Sequence, residues 1–231
     1  MGGARLGPMP PQARVPRPTA ERLSLYLREA ERCAGDGMAT VSSGTLGRAA
    51  GASDAQVRKD LRVVGAPGQP GVGYDAAALA DAIRGTLGVR ETWRAVLVGA
   101  GNIGRALAAY DRLGREGFEI AAILDRAPGI VGRTVGRLEV LPMSALADVV
   151  RRQGIGIGVI AVPPDQAQEV AEALVESGVR GILNFAPRRL ELSEGIPVVD
   201  VDFRSALERL VLAVSQHGPA GGAVPQRRRR G

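Results

Sequence analysis

From about Trp93 onward, short apolar runs alternate with stretches of helical period, and that alternation constrains the fold more than any other feature of the chain. The runs cover residues 94–98, 118–124, 138–141, 155–162, 181–185 and 196–199, and the periodic segments between them include 103–113, 144–153 and 165–177. Strands joined by helical crossovers run parallel, because a crossover returns the chain to the edge from which it left. The pattern predicts an α/β unit on a doubly wound parallel sheet with both faces covered. Upstream, from Thr19 to about Leu87, the apolar spacing is helical and no sustained strand pattern appears. The expected organisation is a helical domain over 19–88, a sheet domain over 89–201, a terminal helix over 202–217, and disordered tails over 1–18 and 218–231. The arginines at 227–230 have two readings, a non-specific anion attractant or a solvated tail.

Composition removes several classes of function. Cys33 and His217 are the only residues of their types, which leaves no intramolecular disulfide and too few ligands for most zinc sites. No apolar run approaches the roughly 18 residues of a membrane span, and the N-terminus has no secretory apolar region. A cytoplasmic protein without a membrane partner is expected. Aromatic residues are 3% of the chain, too few for a platform on which single-stranded bases stack. The net charge of +6 is concentrated in the N-terminal third and the terminal arginines, so any nucleic-acid partner is expected to be a duplex held by that first third.

The most specific motif is G-A-G-N-I-G, with Gly99, Gly101 and Gly104 placed directly after the run 94–98 and opening a helix. Gly99 suits a tight turn, Gly101 a close approach of backbone to a pyrophosphate, and Gly104 close helix–strand packing. The second strand ends at Asp125, 21 residues after Gly104, where a carboxylate accepts from adenosine ribose hydroxyls and repels a 2′-phosphate. NAD(H) is therefore favoured over NADP(H), a preference that the adjacent Arg126 weakens. Two further strand ends, at Val162–Pro163 and from Asn184 to Pro187, fall on the same carboxyl edge; each also reads as ordinary strand punctuation.

Catalytic equipment is thin. The sheet domain has no lysine, and Lys59 lies far upstream. Tyr110 lacks a lysine four residues on, so only Tyr110 and Asp202 remain as polar groups for a nicotinamide site. Binding without turnover is the stronger reading. The alternatives are an NAD-dependent oxidoreductase with a helical accessory domain, and a CoA- or nucleotide-binding module.

In the first domain, Ser53 is placed to cap a helix with Asp54 in its first turn. At the ideal helical period, Arg58, Lys59 and Arg62 fall within about 100° of arc, opposite Val57, Leu61 and Val64. A preceding helix capped by Ser42 or Ser43, with Ala49 and Ala50 facing the next, completes helix-turn-helix logic. The Gly- and Pro-rich stretch from Gly65 to Tyr74 suits a wing-like hairpin. A basic helix face reads equally as a DNA-reading surface or as a solvated face.

Taken together, T-A-E-R-L-S-L-Y-L-R, V-S-S, Q-V-R-K-D-L, G-x-x-G-x-x-G-x-G-Y, G-A-G-N-I-G, A-V-P, G-I-L-N-F-A-P and V-D-F resemble the Rex redox-sensing transcriptional repressors from about Pro18 to Gln216. The resemblance implies a homodimer whose winged helix-turn-helix domains bind double-stranded operator DNA. A Rossmann-type domain then senses the NADH/NAD⁺ ratio, NADH releasing the DNA, and a domain-swapped C-terminal helix carries Phe203 into the partner's nicotinamide pocket. Implied cofactor contacts are Gly99, Gly101, Asn102, Ile103, Gly104, Tyr110, Asp125, Val162, Pro163, Asn184 and Phe203. Implied DNA contacts are Ser42, Ser43, Gln56, Arg58, Lys59, Arg62 and Gly71, and Arg28, Tyr110 and Asp202 form an implied switch set. The chain departs from the family at the wing, where Gln69 and Pro70 replace the usual basic residue before Gly71; Arg62, where serine is common, supplies a compensating cation. The terminal stripe of Phe203, Leu207, Leu210, Val211 and Val214 needs a partner, and an intramolecular core would serve it as well as a second subunit.

Overall fold

A computed structural model describes residues 15–110 and 113–217. The first domain contains α1 (Arg17–Gly35), β1 (Thr40–Val41), α2 (Ser43–Ala50), α3 (Asp54–Val64), β2 (Tyr74–Asp75) and α4 (Ala76–Leu87). Helix α1 begins two residues before Thr19, inside the expected tail. Pro18 tolerates this early start because the first-turn N–H groups have no intrahelical acceptor in any case. Leu23, Tyr26 and Ala30 recur on one face of α1 and pack with Leu46, Val57, Leu61, Leu79 and Ile83 into a single core. β1 and β2 pair antiparallel and close the base of the wing.

The wing owes its shape to its composition. Val72 N donates to the Gln69 carbonyl at 3.1 Å, with Pro70 and Gly71 between them and Gly71 at φ 77°. Proline followed by a positive-φ glycine is the arrangement of a type II turn. Gln69 and Gly73 exchange backbone hydrogen bonds of 2.7 and 2.9 Å across it.

The second domain is a seven-stranded sheet in the order β5-β6-β4-β3-β7-β8-β9. Its strands are β3 (Trp93–Val98), β4 (Phe118–Asp125), β5 (Thr134–Val135), β6 (Leu138–Pro142), β7 (Ile157–Ile160), β8 (Gly181–Asn184) and β9 (Val198–Asp200). All pairings are parallel except β5 with β6. Six strands thus follow the Rossmann order, with the topological switch between β3 and β7. Helices α5 (Asn102–Ala108), α6 (Leu146–Gln153) and α7 (Ala167–Glu176) cover the faces. Ala95 and Leu97 point into one apolar cluster with Ile123 and Val159, while Val96 and Val98 point into the other with Leu124 and Ile160. That two-sided burial explains the continuous apolar runs.

α5 stops at Ala108, short of the expected 113, and α6 and α7 begin two residues later than their periodic segments. The cause at α6 is a turn of 3-10 helix over Met143–Ala145, which carries apolar residues without α geometry. The domains meet at a short connector. Gly88 ends α4 in the left-handed region at φ 74°, and the Trp93 indole N–H donates back to the Gly88 carbonyl at 2.8 Å. The Arg180 guanidinium lies 4.8 Å from the Trp93 ring centroid on the sheet side.

The described residues end in α8 (Phe203–His217). Its expected stripe is present and bare: Phe203 is 66% exposed, and Leu207, Leu210, Val211 and Val214 are exposed with it. Nothing among the described residues covers this stripe. The tails over 1–14 and 218–231 lie outside the described residues.

Candidate functional sites

The carboxyl edge of the sheet holds a cavity of about 270 Å³ between the β3–α5, β4 and β7 loops. Gly99, Gly101, Asp125, Arg126, Val162 and Pro163 line it. The three glycines do different work. Gly99 sits at φ 103°, and a Cβ there would meet the Ala161 carbonyl oxygen at 2.5 Å. Gly104 lies so close to the Gly99 carbonyl that any side chain would push α5 off the turn. A Cβ on Gly101 would meet nothing within 4 Å, so this position faces open space rather than protein. Two glycines therefore bring loop and helix together and the third leaves a cradle, which fits a pyrophosphate lying against the backbone. The first turn of α5 has no side-chain cap, leaving its amides available to an anion. Asn102 accepts from Arg105 at 2.6 Å and Ile103 is exposed, so both flank the turn at its mouth.

Asp125 closes the cradle. Its Oδ2 accepts from Ala100 N at 2.8 Å and its Oδ1 from Ala127 N at 2.8 Å. Each carboxylate oxygen retains a lone pair for a ribose hydroxyl.

Three expected cofactor residues lie elsewhere in the protomer. Asn184 is fully buried; its amide donates to the Arg188 carbonyl at 2.9 Å and to Asp200 Oδ1 at 2.8 Å, and its Oδ1 accepts from Ala186 N at 3.0 Å. It fastens β8 to β9 and presents no side chain to the cavity. Tyr110 follows α5, which runs away from the glycine turn for about 10 Å, and lies among Leu107, Phe118 and Leu138 at the opposite edge of the sheet. Phe203 projects from the exposed start of α8.

The switch set is likewise divided. Arg28 lines a cavity between α1 and the sheet that includes Gly114 and Phe118, two residues that also line the cavity beside Tyr110. Asp202 is apart from both and caps α8, accepting from Ser205 Oγ at 2.6 Å and from Arg204 N at 2.9 Å. The Ser205 hydroxyl and then the backbone N–H groups hold its carboxyl below the usual range.

The basic face lies on α3. Val57 and Leu61 are buried, and Arg58, Lys59 and Arg62 are exposed. Arg58 and Arg62 line a groove of about 600 Å³ between this helix and the wing, together with Ser42, Ser43 and Gly71. Ser42 caps α2, accepting from Thr45 N at 3.1 Å, and Ser43 donates to Asp54 at 3.2 Å. Both serines have local partners, and both residues line the groove.

Gln56 does not. Its amide turns inward and donates to Asp60 Oδ1 at 2.8 Å. Asp60, only 2% exposed, also takes a forked pair from Arg22 at 2.7 and 2.9 Å and a hydrogen bond from Tyr26 at 3.1 Å. Desolvation raises its pKa, but the hydrogen bonds from Arg22, Gln56 and Tyr26 together outweigh that and hold the carboxyl below its ordinary value. Burial, then the bond to Asp60, pushes the Tyr26 phenol up to about 12. The network ties α3 to α1 and fixes the angle of the basic face. Sequence reasoning missed it, although Asp60 sits at the margin of the apolar sector of α3, an unusual place for an unpaired acid.

Comparison with known proteins agrees with this two-part geometry. A family model described as a CoA binding domain matches residues 90–188, and one described as a putative DNA-binding protein N-terminus matches residues 14–61. The chain is 42% identical over 201 residues to the redox-sensing transcriptional repressor Rex of Carboxydothermus hydrogenoformans, covering 87% of this chain and 97% of that protein. It is 41% identical over 217 residues to the Rex of Streptomyces coelicolor, covering 91% and 83% respectively. Among solved structures, the Rex-family repressor RSP in complex with beta-NAD⁺ and operator DNA superposes with a TM-score of 0.81 at 29% identity, covering 89% of this chain and 94% of that one. The same repressor in complex with beta-NADH gives a TM-score of 0.79 at 28% identity, covering 89% of this chain and 96% of that one. A winged helix joined to a Rossmann sheet, at this level of identity over nearly the whole length, makes the chain a member of the Rex family of redox-sensing transcriptional repressors.

Proposed function

We propose that this chain is a redox-responsive repressor that holds operator duplex through its winged-helix domains as a homodimer and gives it up when NADH fills the cleft. The observation that carries the reading is the joint presence of a phosphate cradle with an acid at the second strand end and, one short connector away, an exposed basic helix beside a wing. Arg58, Lys59 and Arg62 meet phosphates or base edges in the major groove, and Gly71 at the wing tip lies along the backbone.

At about 270 Å³ the cleft falls below the roughly 300–1,000 Å³ of ordinary ligand pockets. A dinucleotide therefore needs walls beyond those that the described residues of one subunit supply. The exposed stripe of α8 provides them: exchanged between two-fold partners, each helix buries its apolar face and brings Phe203 to the other subunit's cleft. The coenzyme contributes a nicotinamide ring that is neutral when reduced and cationic when oxidised. Phe203 excludes water from that ring, and an apolar enclosure disfavours the cation, so the closed arrangement prefers the reduced form. Coupling between the sites requires that the state with misaligned basic faces bind NADH more tightly than the DNA-holding state. Half-sites about one helical turn apart make a modest domain rotation sufficient. The reading places the protein in the cytoplasm.

Calorimetric titration of the full chain with NADH, NAD⁺ and coenzyme A, with and without operator duplex, tests the proposal. NADH is expected to bind more weakly when operator is present and NAD⁺ to be nearly indifferent. Release of operator by NAD⁺ instead, or coenzyme A binding more tightly than either dinucleotide, would overturn it.

A further inference from the structure

Arg126 follows the ribose acid directly and lines the cleft, where a guanidinium is chemically suited to a 2′-phosphate. Its Nη1 instead lies 4.0 Å from Glu169 Oε2. Glu169 stands in the first turn of α7, between Gln166 and Val170, which both line the same cavity. Three elements thus set the charge at the adenosine end: Asp125 from β4, Arg126 from the loop after it, and Glu169 from α7. Two negative groups and one positive group leave a net negative field where a 2′-phosphate would have to sit.

We infer that Glu169 is a specificity-determining residue, which engages Arg126 and so keeps the cleft selective for NAD(H) over NADP(H). The inference rests on the dinucleotide reading above and adds a division of labour. Asp125 addresses the ribose hydroxyls, while Glu169 acts at a distance as a positioning residue through Arg126. Without Glu169, Arg126 would turn to the phosphate and the selectivity conferred by Asp125 would be partly cancelled. Both members of the pair are largely exposed, so the effect is that of solvent-screened charges.

The test compares NADH and NADPH binding by calorimetry in the wild-type chain, Glu169→Gln, and Glu169→Gln combined with Arg126→Gln, at low and high ionic strength. Glu169→Gln is expected to raise the NADPH:NADH affinity ratio on the order of three- to tenfold at low salt. The gain should shrink at high salt and vanish in the double variant. A merely structural role for Glu169 would weaken both nucleotides together and leave the ratio unmoved. An unchanged ratio overturns the inference, as does a gain that persists without Arg126. A wild-type chain that bound neither nucleotide would overturn the dinucleotide reading and this inference with it.

Discussion

Replacing Asp60 by asparagine keeps the volume of the side chain but removes the charge on which the α1–α3 junction is built. The forked bond from Arg22 becomes a donor-against-donor contact on one side, and Tyr26 and Gln56 lose an ionised acceptor. Breaking a buried charge pair costs about 3–5 kcal/mol. Arg22 keeps 24% of its side chain in water and recovers part of its hydration, so a loss of about 3 kcal/mol is expected. A domain of this size has a total stability of about 4–10 kcal/mol, so the substitution removes a large share. At about 4–8 °C per kcal/mol, the melting temperature of the first domain should fall by about 12–24 °C, read from helical circular dichroism at neutral pH. The effect has a pH signature. The depressed Asp60 pKa stabilises the fold above the ordinary carboxylate value of 3.8, and this contribution disappears as the pH falls from there through the lower folded value. The gap between wild type and Asp60→Asn should therefore close in acid. A fall of less than about 3 °C at neutral pH, or a gap that stays constant toward acid, would refute the reasoning.

Two further outcomes follow from exposed groups. The double variant Arg58→Ala with Lys59→Ala removes two cations from each subunit of the dimer, so it should weaken operator binding at every sequence and reduce the slope of log affinity against log salt by about four, measured by fluorescence anisotropy across a salt series; an unchanged slope would remove these cations from the phosphate contact. Leu210→Asp places a charge in the bare stripe of α8. Because a two-fold interface contains the substitution twice, a cost of about 2 kcal/mol per copy weakens dimerisation about a thousandfold. Sedimentation equilibrium that finds the dimer undisturbed would place α8 outside the interface.

How much of this was legible beforehand depends on the range of the interaction. The roles of Gly99, Gly101 and Gly104 could be read from the motif because each is a demand on local backbone: a positive φ, a vacant flank and a close approach. The basic face of α3 could be read because a helix maps sequence spacing directly onto angle. Asn184 could not. Its position after a strand suggested the cleft, but its amide is claimed by Asp200, sixteen residues on. The partner of Gln56 was likewise hidden: the residue falls beside the exposed cations, and Asp60 accepts from its amide.

The amino-acid sequence alone determined the periods, the turns and the caps, since these depend on neighbours within a few residues, and with them the two-part architecture. Tertiary structure alone decided where polar side chains point and which apolar faces stay uncovered, because both depend on which distant groups compete for the same hydrogen bond or surface. Asp60 gathers donors from two helices, Arg126 faces Glu169 across the cleft, and α8 extends with its apolar stripe open. Each outcome is set by packing in space, which no local pattern records.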